Sequence, residues 1–72
     1  MHVFINGSQI FLFSGARVLD GLTAYSSVAL EDVQAGNVVV LDAEGHRLYV
    51  DGRLQDGDHL ILAQAEQGED ND

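Results

Sequence analysis

The sequence contains no cysteine, no proline and no lysine. Without thiols there are no disulfide bridges, no iron–sulfur ligation by thiolates and no thiol catalysis. Without proline, no kink or turn is preset by a fixed φ. No apolar run approaches the ~20 residues that cross a bilayer, and no basic stretch followed by an apolar one opens the chain. A cytoplasmic location is therefore expected. Positive charge is scarce as well: three arginines stand against twelve acids, for a formal net charge of −9. Phosphate backbones and anionic membrane surfaces would be repelled, which argues against nucleic acid and membrane as partners. A basic protein partner, or plain solubility, suits this charge.

What is present fits one small domain. The 72 residues leave no room for a second core, and an apolar fraction of 46% argues against disorder throughout. The stretch VFINGSQIFLF carries the clearest local signal. Asn6-Gly7 is the pair preferred in a two-residue type I′ turn, where both central residues need positive φ. Such a turn sets Ile5 opposite Ser8, Phe4 opposite Gln9 and Val3 opposite Ile10. One face then carries Val3, Ile5, Ile10 and Leu12, and the other carries His2, Phe4, Gln9, Phe11 and Phe13.

In SGARVLDGLTAYSS, Val18, Leu22 and Tyr25 recur at helical spacing, which predicts a helix of about two to three turns. Gly21 weakens it by roughly 1 kcal/mol relative to alanine, so it needs a sheet to pack on. ALEDVQAG, with Leu30 and Val33 three apart and Gly36 as a stop, predicts one further helical turn or a compact loop. NVVVLD reads as a strand buried on both faces or nearly so, HRLYV as a shorter strand with Leu48 and Val50 on one side. Two Asp-Gly steps in DGRLQDGD make turns before a last strand, HLILA. Leu60 and Leu62 share one of its faces; His59, Ile61 and Ala63 share the other.

Hairpin, helix and then strands give an α+β chain of β-grasp (ubiquitin-like) architecture. A mixed sheet of four to five strands would carry one main helix on one face. The domain is expected over residues 1–64, and a flexible acidic tail over 65–72, where Glu66, Glu69, Asp70 and Asp72 lie.

From Val3 to Gln64 the sequence resembles the ubiquitin-like sulfur carriers of thiamine and molybdopterin biosynthesis, the ThiS/MoaD family. The resemblance rests on VFING, on Gly15 with Val18 and Leu22, and on LQDGDHLILAQ. It implies the same fold and, in a carrier, a C-terminal Gly-Gly whose carboxylate an adenylating enzyme activates for conversion to a thiocarboxylate. Here the corresponding region reads Gln64-Ala65-Glu66-Gln67-Gly68-Glu69, so no catalytic residue of the family carries over. Trimming after Gly68 would expose a single terminal glycine. A ferredoxin-like cluster domain of related fold is excluded by the missing cysteines.

The sheet order of a β-grasp places Phe4, Phe11, Phe13, His59 and Ile61 on one face with no helix over it. That is a candidate protein interface rimmed by His2, Gln9 and His59. Its partner would be a protein, such as an adenylating enzyme or larger subunit, or a second copy. His2, His46 and His59 do not assemble a metal-ligand pattern, and Asp51, Asp56 and Asp58 miss the calcium-loop spacing, so neither metal nor cofactor is expected. Ser26 and Ser27 have no placed base, and Gly7, Gly15 and Gly57 form no phosphate loop. The sequence therefore predicts a non-catalytic interaction or accessory module. The alternatives are a sulfur carrier released by trimming at Gly68 and a small metal- or ligand-binding regulator using the histidines.

Overall fold

The computed structural model describes residues 1–65. Strands β1 (His2–Ile5) and β2 (Ser8–Phe11) form an antiparallel hairpin. Helices α1 (Val18–Tyr25) and α2 (Ser27–Gln34) follow, then β3 (Val38–Leu41), β4 (Arg47–Leu48) and β5 (His59–Gln64). The five strands lie in the order β2-β1-β5-β3-β4. β5 runs parallel to β1 and antiparallel to β3. This mixed sheet with helices on one face is the β-grasp architecture.

The hairpin adopts the expected register, Ile5 opposite Ser8 and Val3 opposite Ile10. Its turn needs left-handed backbone at both central positions, and Asn6 (φ 50°) and Gly7 (φ 84°) supply it. The side chains that this register turns inward, Val3 and Ile5, are fully buried with Val18, Leu22, Val40, Leu54 and Leu60. Burying each such side chain is worth about 1.5–3 kcal/mol relative to exposure, so this cluster holds the helices to the sheet.

Three local features differ from the sequence expectation. The segment after α1 is a full eight-residue helix, not a single turn, because the Ser26 hydroxyl accepts the Ala29 N–H (3.3 Å) and starts it. Gly36, at φ 85°, ends it in left-handed backbone. Second, β4 shrinks to two residues, since Tyr49 and Val50 leave β3 and turn back, their carbonyls receiving the Gly52 and Leu19 N–H groups. Third, Gly21 is a packing device: a Cβ there would lie 3.3 Å from a Leu54 methyl and 3.6 Å from methyls of Ile5 and Leu12. The helix gives up propensity to approach the hairpin closely. In β3 only Val40 is fully buried; Val38, Val39 and Leu41 are half-buried. Among the described residues no helix is long and apolar enough to cross a membrane.

Candidate interaction surface on the open face of the sheet

Strand pairing decides which side chains share the helix-free face. Phe4 is registered with Gln9 on β2 and with His59 on β5; Ile61 is registered with Leu41, and Leu41 with Arg47. The result is a band running from Gln9 and Phe11 through His2, Phe4, His59 and Ile61 to Leu41 and Arg47. Phe11 is 74% exposed, Phe13 just beyond β2 is 63% exposed and Ile61 is 45% exposed, so the band is apolar and open. Its centre is organised by ring contacts. The His59 imidazole stacks on Phe4 with centroids 4.6 Å apart and planes 12° from parallel. His2 meets Phe4 edge-on at 5.7 Å and Phe11 at 6.0 Å. Rings already held against one another lose little freedom when a partner covers them.

Charge reinforces the contrast. Among the described residues no strand position of this band carries a carboxylate, and Asp56 reaches it only at the His2 edge. Among the described residues the band's one formally charged strand position is Arg47, whose guanidinium carbon sits 5.0 Å from the centroid of the Tyr49 ring. The acids of the described residues occupy helices, turns and loops instead. Asp56 accepts the His2 N–H (2.9 Å) and stands 3.5 Å from its imidazole. That backbone donor is the main reason the Asp56 carboxyl lies below its ordinary value, opposed by burial and aided by the His2 ring and the N-terminal ammonium.

The histidines do not meet as one group. His2 and His59 lie on neighbouring strands, as the sequence allowed, but each is engaged with Phe4. His46 joins a different set that sequence reasoning missed. In the β3–β4 connection, Asp42 accepts the N–H groups of Glu44 (2.8 Å) and His46 (2.9 Å), and its other oxygen lies 3.2 Å from His46 Nδ1. Ligating atoms of Asp42, Glu44 and His46 all fall within 4.8 Å of one another. The His46 backbone bond is the main reason the Asp42 carboxyl lies below its ordinary value, partly opposed by burial. These contacts close the turn, and the three side chains are 33%, 80% and 72% exposed. Only the D-x-E-x-H spacing hinted at them. Asp42 and Glu44 also border a concavity of about 350 Å³ with Arg53, Asp58 and His59, which adjoins the open face at His59. Asp58 there accepts the Gln55 N–H, in keeping with a turn role for the acids before β5.

Of the acidic tail expected over 65–72, residues 66–72, Gly68 among them, lie outside the described residues. No family model and no curated protein matches the sequence. Among solved structures, the crystal structure of SAMP1 from Haloferax volcanii is similar, with a TM-score of 0.65 over 96% of this chain and 98% of that one. At 16% identity the likeness is one of fold.

Proposed function

We propose that this chain is a non-catalytic interaction module that docks a protein partner through Phe4, Phe11, Phe13, His59 and Ile61. The observation that carries the reading is an open apolar band whose strand positions, among the described residues, carry no carboxylate, on a chain of net charge −9. Large apolar patches on small domains mark interfaces, and aromatic anchors dominate binding energy. A cytoplasmic location belongs to the same reading. The test is a photo-crosslinking amino acid placed at position 11 and, separately, at position 31 on α2, in the cells that make the protein. A discrete adduct from position 11 and none from position 31 is the expected result. The same adducts from both positions, or none from either, would sink the proposal.

A second reading is favoured by the β-grasp fold together with the stretch Leu54–Gln64, a turn feeding the strand that pairs with both β1 and β3. In the sulfur carriers that the sequence resembles, such a strand leads into the activated terminus. On this reading the chain is trimmed after Gly68 and an adenylating enzyme is its partner. Intact mass of untagged protein from its own cells decides it. A chain ending at Gly68, with sulfur replacing a carboxylate oxygen, supports the carrier, and a chain ending at Asp72 opposes it.

A further inference from the structure

The free edge of β2 carries an inference independent of the open face. Met1 and Leu12 exchange both backbone hydrogen bonds at 2.8 Å, so theirs is a bonded pair of the hairpin. Antiparallel pairs alternate between bonded and non-bonded. His2 with Phe11 and Phe4 with Gln9 are therefore the non-bonded pairs. On the β1 side this is visible directly: Phe4 N–H reaches away from β2 to the Asp58 carbonyl (2.8 Å), and the His2 carbonyl takes the Gly57 N–H (2.7 Å). On the β2 side, the N–H and C=O groups of Gln9 and Phe11 point outward, and among the described residues nothing receives them.

Sheets usually shield a free edge with charge, proline, a bulge or brevity. The opposite edge follows the rule, since β4 has two residues and begins with Arg47. β2 does not. Residues 3–16 contain none of the fifteen formally charged side chains of this chain, and no proline.

We infer that β2 is a strand-pairing edge whose partner is the β2 of a second copy of this chain, joined antiparallel about a two-fold axis at Ile10. Two features select a second copy. The edge is self-complementary: with Ile10 opposite Ile10, the outward groups of Gln9 meet those of Phe11 in the other chain, and each pair exchanges both bonds. The charge pattern points the same way. Two chains of net charge −9 repel wherever they meet, but least where neither carries charge at the contact, and the segment 3–16 is such a place. A basic partner would find no carboxylate there to recognise. Pairing would also set the exposed Phe11 side chains of both copies on one continuous sheet face.

The experiment is sedimentation equilibrium from low concentration up to about 1 mM, where even a small interface is populated, with backbone amide exchange followed on the same samples. The expected result is a mass rising from 7.8 kDa toward twice that value. Association should strengthen as salt screens the repulsion, and exchange should slow selectively at Gln9 and Phe11. Gln9→Pro removes an outward donor that the monomer does not use, and should weaken association at least ~10-fold. Gln9→Lys charges the exposed edge and should do the same if the proline variant fails to fold. Ile61→Ser, on the open face away from this edge, should leave association intact. A chain that stays monomeric to about 1 mM, with both amides unprotected, overturns the inference. So does association that Ile61→Ser abolishes and Gln9→Pro spares, an outcome that would leave the open-face reading standing.

Discussion

The two hairpins at opposite edges of the sheet solve the same problem with different chemistry. β1 and β2 pair over four residues around Asn6-Gly7, with no charged side chain from Val3 to Ala16. β3 and β4 pair over two residues around a turn tied by the Asp42 carboxylate to two backbone N–H groups. The first hairpin takes its order from backbone conformation and from Val3 and Ile5 in the core. The second adds to Val40 in the core an ionised side chain at the surface. Where charge is absent the edge stays available for pairing; where charge does the structural work, the edge is short and solvated.

The sharpest way to break this contrast is to truncate one inward side chain in β1 and one in the edge strand β4. Ile5→Ala empties a fully buried site and is expected to cost about 2–5 kcal/mol. Leu48→Ala, at a half-buried position of β4, is expected to cost about 1 kcal/mol. Urea titration of both variants checks the order, and equal losses would contradict a core centred on the first hairpin. The turns come next. Gly7 (φ 84°) and Gly45 (φ 87°) both sit in left-handed backbone with open space around them. Alanine at either should cost about 1–2 kcal/mol through conformation alone. The greater loss is expected at Gly7, because the Asp42 bonds still hold the second turn. Thermal melts of the two variants would show it.

Acid should separate the hairpins more gently. The Asp42 carboxyl lies below its ordinary value in the folded chain. Its contribution is therefore complete above the unfolded value of about 4 and is lost as pH falls through the lower folded value. Amide resonances of Glu44 and His46 should move in that window while Gln9 and Phe11 stay still. The His2 amide should also move, since it donates to Asp56. Movement of Gln9 and Phe11 over the same range would mean that the influence of charge on the first hairpin reaches beyond its His2 end. The smallest effect is expected for Phe11→Ser, within about 0.5 kcal/mol in stability because the ring is 74% exposed. A larger loss would mean that the open face contributes to folding as well as to docking.

Much of this architecture was legible in the sequence, and the reason is local. A two-residue turn fixes register, and register fixes which side chains face outward, so Phe4 and Phe11 could be placed on one face beforehand, and the strand order of a β-grasp added His59 and Ile61. What escaped depended on contacts that spacing does not carry. α2 has few apolar positions, and its start relies on a cap from Ser26. Gly21 reads as a helix flaw until Leu54, some thirty residues away in sequence, is seen against it. The stacking of His59 on Phe4 and the gathering of Asp42, Glu44 and His46 require the final placement of rings and a closed turn.

The pairing of β1 with β5 bears on how the chain is made. His2 is bonded to Asp56 across 54 residues. At about 5–20 residues per second, a ribosome takes roughly 3–10 s to add that much chain. A hairpin forms in about 1–10 μs. During synthesis the first hairpin therefore waits with both of its edges open, the inner one until β5 arrives and the outer one throughout. The middle of the sheet is built last. A nascent chain slowed between Phe11 and His59 would present an uncharged β-template on two sides. Rare codons or long pauses in that interval should therefore cost yield through aggregation, in proportion to the delay they add.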